Sequence, residues 1–280
     1  MKSEEAKQLI ERGVHELKEA LAAGKSDQLR AYLNVMSRFP RYSFNNQLLI
    51  FLQAPDATRV LGFHAWRKLG RNVMKDEKGI AIIAPMVSKA KAKEEGESGG
   101  QDDPKSSTKV IRGFKVVHVF DVSQTDGKPL PEFARATGDP GDNLEKMESF
   151  IRNRGIQLAY EEIPSGADGV SRKGQIVVRP DLDPATTLMV LIHEYAHECL
   201  HQANRRHETT KTIRETEAEA VAHVVGQALG LQSLAQSADY IHLYNGDVEV
   251  LTASLDHIQK TAAHILDGIT SQAEKKEAVA

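Results

Sequence analysis

Asp183-Pro184-Ala185-Thr186-Thr187-Leu188-Met189-Val190-Leu191-Ile192-His193-Glu194-Tyr195-Ala196-His197 is the stretch on which the fold turns. Asp183 has the chemistry of an N-cap and Pro184 that of a first helical residue, so a helix is predicted from about Pro184 to Ala203. The apolar run from Leu188 to Ile192 marks this helix as buried. Residues four apart share a helix face, so His193 and His197 can reach one metal ion. Glu194 then stands beside that ion as a general base toward metal-activated water. Without a metal, three inward-facing polar groups would need other partners. A single zinc ion per chain supplies them.

A catalytic zinc site needs a third protein ligand. The position ten residues after His193, where one zincin pattern has histidine, is Ala203. His201 lies one turn beyond His197, and a straight helix carries it past a tetrahedral site. The segment Arg214-Glu215-Thr216-Glu217-Ala218-Glu219-Ala220 offers more. Glu215 and Glu219 are four apart and can both face the motif helix, Glu215 as ligand and Glu219 as acceptor from a ligand histidine. Two plainer readings stand beside these. Thr212 and Glu215 have capping-box spacing, and Glu217 fits a solvated face.

Composition bounds the rest. A chain of 280 residues has room for two ordinary domains, and no stretch approaches 18 consecutive apolar residues. The start, Met1-Lys2-Ser3-Glu4-Glu5-Ala6-Lys7, reads as a charged amphipathic helix rather than a secretion signal. The lone Cys199 cannot form an internal disulfide and is expected to pack beside the motif helix. A cytoplasmic location with no membrane partner is the expectation. The net charge of −3 hides an asymmetry. Residues 1–90 hold 15 Lys/Arg against 9 Asp/Glu, and residues 91–280 hold 21 against 30.

The segment 88–109 has almost no apolar content and reads as a flexible loop. Strand-like runs flank it at Ile80–Ala84 and Phe114–Phe120, so the loop is an excursion within one sheet. The turn-forming cluster Thr137-Gly138-Asp139-Pro140-Gly141-Asp142 marks a better boundary, giving domains 1–137 and 138–280. Seven of the fifteen aromatics lie between Tyr32 and Trp66, interleaved with basic residues. Bases stack on aromatic faces while Lys and Arg follow phosphates, a mixture suited to single-stranded nucleic acid. Arg38, Arg41, Tyr42, Asn46, Trp66, Arg67, Lys68, Arg71, Lys75 and Lys78 are the candidate DNA-binding residues. Phe44, Leu48, Leu49, Phe51 and Leu52 have helical spacing and fit a core instead.

Tyr42-Ser43-Phe44-Asn45-Asn46-Gln47-Leu48-Leu49-Ile50, Gln53-Ala54-Pro55-Asp56-Ala57-Thr58, the run Gly62 to Val73, Glu77-Lys78-Gly79-Ile80, Pro85 and Phe120-Asp121-Val122-Ser123-Gln124-Thr125 together resemble the N-terminal domain of the ArdC family. These are antirestriction proteins of plasmids and other mobile elements. Asp76 departs from the pattern, where the family more often has glycine before Glu-Lys-Gly. His193, Glu194 and His197 match the C-terminal metallopeptidase domain of that family, which is related to the ImmA/IrrE group, and Glu215-x-x-x-Glu219 matches its glutamate helix less specifically. The tail from Ala238 through Ile258 is similar to relatives of the same domain. The resemblance implies an α+β chain: a helical and β-sheet domain that binds single-stranded DNA, then a zincin-like domain with a small sheet, the H-E-x-x-H helix and the glutamate helix.

The second domain is expected to run helix (142–154), strand (156–160), strand (174–178), motif helix, glutamate helix and a final helix near 247–270. The edge of the 174–178 strand is expected to pair an extended peptide across the zinc. In that reading Glu194 activates water at a zinc held by His193, His197 and Glu215, and His223, Tyr240, His242 and His257 are candidates to steady the oxyanion. The function expected is antirestriction-type: single-stranded DNA binding joined to zinc-dependent hydrolysis of a protein or peptide. Two other readings are a DNA-masking protein with a structural or vestigial metal domain, and an ImmA/IrrE-like protease that cleaves a regulator.

Overall fold

The structure, a computed structural model, describes residues 2–25, 27–89, 109–128, 139–164, 166–201, 203–231 and 248–277. Three helices open the chain: α1 (Ser3–Ala22), α2 (Asp27–Arg38) and α3 (Phe44–Gln53). A short strand β1 (Val60–Gly62), helix α4 (Phe63–Lys68) and strand β2 (Arg71–Val73) follow. The long strands β3 (Ile80–Lys89) and β4 (Lys109–Asp121) pair antiparallel over their whole length, with a bulge between Met86 and Val87. The stretch 88–109 therefore links two strands of one sheet, and its ends at 88, 89 and 109 belong to those strands. Residues 90–108 lie outside the described residues, as does the boundary near 137/138. A 3-10 turn (Val122–Gln124) and strand β5 (Thr125–Gly127) complete this half, the sheets running β1-β4-β3 and β2-β5.

β3 is thus an edge strand, and α3 covers its edge with side chains. Asn46 donates from Nδ2 to the Ile83 carbonyl and accepts from the Ile83 N–H, both at 2.8 Å. Two helical turns later, Gln53 does the same at Ala81, at 2.9 and 3.0 Å. An exposed edge would leave these groups open to another strand.

The second half contains α5 (Asn143–Asn153), β6 (Gln157–Tyr160), β7 (Gly169–Ser171), β8 (Gln175–Val178), α6 (Pro184–Leu200), α7 (Ala203–Glu208), α8 (Lys211–Ala228) and α9 (Val248–Glu277). β8 is the middle strand of three, parallel to β6 and antiparallel to β7. This corrects the expectation that 174–178 offers its edge to a peptide. Both edges of that strand are used, and the outer edges of the sheet belong to β6 and to β7, the latter too short to read from sequence.

α6 begins as its caps dictate. The Asp183 carboxylate accepts from the N–H groups of Ala185 and Thr186, each at 3.0 Å, and Pro184 opens the helix. Leu188, Leu191, Ile192 and Ala196 are fully buried in a core that also takes in Leu17, Leu21, Leu33 and Met36 from the N-terminal helices and Val221, Val224, Leu255 and Ile258 from α8 and α9. Each large aliphatic residue buried there contributes about 1.5–3 kcal/mol relative to exposure. A second core of Val35, Phe39, Ile50, Val60, Ile80, Ile82 and Val119 lies under the β1-β4-β3 sheet. α2 feeds both, with Leu33 and Met36 in one and Val35 in the other. α6 and α8 approach closely because Gly226 leaves room for Met189: a Cβ there would lie 2.6 Å from the Met189 sulfur. Cys199 sits exposed on α6 itself rather than packed beside it.

Candidate metal centre

α6 and α8 bring three donors to one point. His193 Nε2 and His197 Nε2 lie 3.1 Å apart, and Glu215 Oε2 is 3.6 Å from the first and 3.5 Å from the second. Tetrahedral coordination with bonds of about 2.0–2.2 Å sets neighbouring donors about 3.3–3.6 Å apart, so this triangle has the right size for a zinc-sized cation. The donor chemistry agrees: two imidazoles and a carboxylate with a position left open. Among the described residues these three form the one group that could hold a metal. Glu215 is not the N3 residue of a capping box, because α8 starts at Lys211 with Thr210 as its cap, 3.2 Å from the Ile213 N–H.

The two histidines of this triangle are oriented from behind. Glu219 Oε2 lies 3.5 Å from His193 Nδ1, the place given to it by its spacing from Glu215. His197 is held by a longer chain. Its Nδ1 meets His201 Nδ1 at 2.8 Å, and His201 Nε2 meets Glu217 Oε2 at 2.9 Å. Glu217 is completely buried and takes two hydrogen bonds from Arg205, at 2.8 and 2.7 Å. The carboxylate fixes the proton on His201 Nε2, so His201 Nδ1 must accept, His197 Nδ1 must donate, and His197 Nε2 is left with its lone pair toward the site. Neither His201 nor Glu217 belongs to the triangle of donors, and Glu217 does not lie on a solvated face. The clue was the His193/His197/His201 spacing, which runs one turn past the motif. Arg205, on the short α7, gave no signal in sequence.

The electrostatics follow the same geometry. Burial pulls His193 down, but Glu215 and Glu219 outweigh it and raise its pKa to about 9. The His193 and His197 imidazoles beside it hold the Glu215 carboxyl far below the usual carboxylate range. Burial raises Glu217, yet His201 and Arg205 bring it down to about 2. His201 is lowered, first by burial, which keeps it neutral beside that carboxylate. Glu194 is raised, chiefly by burial, with His193 and His197 opposing the rise. It is 8% exposed and packs over β7, where a Cβ on Gly169 would lie 2.9 Å from Glu194 Cγ and 2.5 Å from Val190 Cγ1. Only glycine fits at position 169.

The other candidates are elsewhere. His223 is buried, with Nε2 2.8 Å from Asn34 Oδ1, and His257 Nδ1 donates to Ala253 O in its own helix at 2.6 Å. Tyr240 and His242 lie outside the described residues. In the N-terminal half, Trp66 is fully buried and its Nε1 donates to Phe120 O at 2.8 Å. Its ring has no face to offer a base, which corrects its reading as a stacking residue. Asn46 covers the β3 edge, and Tyr42 donates its hydroxyl to Val60 O at 3.3 Å. Arg38 binds the carbonyls of Pro55 and Ala57, and Arg71 those of Lys128 and Thr125. Arg41 pairs with Asp267 of α9 at 3.1 Å. Arg67, Lys68, Lys75 and Lys78 are exposed.

Residues 5–120 match the family model of the N-terminal domain of the anti-restriction factor ArdC, and residues 151–243 match that of the IrrE N-terminal-like domain, a peptidase family. The fold is that of two crystal structures of the antirestriction ArdC protein from plasmid R388, one metal-free and one Mn(II)-bound. Each superposes with a TM-score of 0.53 at 17% identity, covering 94% and 93% of this chain and 98% of the other. The chain is an ArdC-type protein. Its order of domains, the ArdC N-terminal domain and then the IrrE-like domain, is the one expected from the motifs. An uncharacterized protein of Bacillus anthracis is 27% identical over 84% of the ArdC-type chain, which spans 46% of that protein's length. No described helix is long and apolar enough to cross a membrane.

Proposed function

We propose that this ArdC-type protein acts in antirestriction by joining single-stranded DNA binding to a zinc-dependent peptidase site. The placement of Glu194 carries the peptidase reading. A purely structural metal site has no use for a buried carboxylate of raised pKa beside its three ligands. His193, His197 and Glu215 would hold one zinc ion, which supplies Lewis-acid chemistry, polarising a carbonyl and making water acidic. Glu194 takes the proton from the attacking water and passes it to the departing amine. The free edge of β7, at Gly169 and Ser171, binds an extended peptide by strand addition beside Glu194.

For DNA, the exposed Arg67, Lys68, Lys75 and Lys78 follow the phosphates, with Phe63, 43% exposed on α4, as a stacking face in place of Trp66. The cytoplasm is the compartment this function requires. Glu194→Gln tests the enzyme reading: the variant should retain one zinc per chain by atomic absorption and lose peptide cleavage. Cleavage that persists in it would overturn the proposal, and full protection of DNA from restriction by the inactive variant would separate antirestriction from peptidase activity.

A further inference from the structure

The triad stands on a gradient of charge. On one flank a cavity of about 340 Å³ is lined by Asp168, Glu215 and Glu219 with apolar Met189 and Val190, and by no Lys or Arg. On the other a cavity of about 490 Å³ runs past His197 and Glu194 to Arg172, Lys173, Arg206, Lys211 and Arg214. The acidic side chains lining it are Glu194 and Glu215. Asp and Glu outnumber Lys and Arg by 30 to 21 over residues 91–280, so five cations at one cavity run against the charge of their own half.

The segments that carry these cations, the β7–β8 turn and the adjoining ends of α7 and α8, are tied down. Glu198, on α6, accepts from the Ser171 hydroxyl and from the Gly174 N–H at 2.9 Å, fixing the tip that holds Arg172 and Lys173. Arg214 donates to the carbonyls of Arg206, at 3.0 Å, and Thr209, fixing the connection from α7 to α8. Arg172, Lys173, Arg206 and Lys211 are exposed, and none has an ion-pair partner among the described residues. Four like charges at one cavity, none of them ion-paired among the described residues, favour an anionic ligand.

We propose that this flank is a subsite for acidic side chains: the substrate peptide carries Asp or Glu on one side of the cleaved bond, held by Arg172, Lys173, Arg206 and Lys211. The inference rests on the peptidase reading above. A peptide suits the cavity better than a nucleic acid. Gly169 and Ser171 of the β7 edge line it, and an extended peptide can run along that strand edge beside the cations where a nucleic acid has no backbone to match it.

The test uses the full, zinc-loaded chain carrying Glu194→Gln and three fluorescent peptides with one apolar centre, flanked by Glu on the N-terminal side, by Glu on the C-terminal side, or by Gln on both. Anisotropy should show one Glu-flanked peptide binding about tenfold more tightly than the Gln peptide, with the gain lost as salt is raised. Arg172→Gln with Lys211→Gln should bring the two to parity and leave affinity for a single-stranded oligonucleotide unchanged. Equal affinity for Glu and Gln peptides in the parent, or a double variant that loses the oligonucleotide while keeping the Glu preference, overturns the subsite. Cleavage by the chain with Glu194 intact is scored separately: a Glu preference in binding with no peptide cut upholds the subsite and rejects the peptidase.

Discussion

His197 and His201 meet through their Nδ1 atoms, 2.8 Å apart, so the metal-facing nitrogen of one is set by the buried partner of the other. His201→Phe keeps the volume and leaves Glu217 paired with Arg205, yet it removes the acceptor that fixes the His197 tautomer. Zinc affinity in a chelator competition should fall about 10–100-fold, the usual cost of losing such an outer partner, while the fold by circular dichroism is unchanged. Unchanged affinity would mean that His201 only fills space.

Gly169→Ala addresses the other side of the centre. The added methyl would lie within 3.0 Å of Val190 and Glu194, so it presses on the proposed general base and not on His193, His197 or Glu215. Peptide cleavage should drop at least tenfold with zinc content retained. Equal loss of both would place Gly169 in the fold rather than in the alignment of Glu194.

Asp121 supplies a pH dependence away from the centre. Burial raises its pKa, but the Ser123 hydroxyl and the N–H groups of Arg59, Ser123 and Thr58 bring it below the usual value. A depressed folded pKa adds stability above the unfolded value of about 3.9, and that stability is lost as pH falls through the folded pKa. Asp121→Asn puts an amide among donors and should cost about 1–3 kcal/mol in urea melts at pH 7. The gap between parent and variant should narrow below pH 4. A constant gap down to pH 2 would show that the charge is not what those donors bind.

Asp76 holds the left-handed conformation, with φ of 67°, in a turn, at the position where the resemblance to the ArdC pattern leads to an expected glycine. The turn is therefore kept, at some cost in strain. Asp76→Gly should raise stability by up to about 1 kcal/mol, the relief of that strain less the entropy glycine adds to the unfolded chain. A lower melting temperature would show that the Asp76 side chain has a role of its own.

What could be read from the sequence was whatever repeats along one element. The motif helix, its Asp183-Pro184 start and the Glu215/Glu219 pair follow from helical periodicity and capping chemistry, and apart from α7 and β7 the helices and strands of the second half lie close to their expected places. What could not be read depends on how elements meet. β7 is three residues long, and the role of Gly169 exists only because Val190 and Glu194 pack on it. Glu217 points away from Glu215 around α8, and only the position of α7 shows that Arg205 and His201 are waiting for it. Trp66 misled for the same reason: aromatic and basic residues interleaved in sequence say nothing of which rings end inside.

Asn46 and Gln53 show the same lesson in reverse, since neither amide is spare. By filling the backbone positions of Ile83 and Ala81 from the side, α3 serves as a surrogate neighbour for the long β3-β4 hairpin. Over Ala81 to Ile83 the border of the sheet is thereby closed to a strand from another copy, and what closes it is a pair of amides rather than a charge.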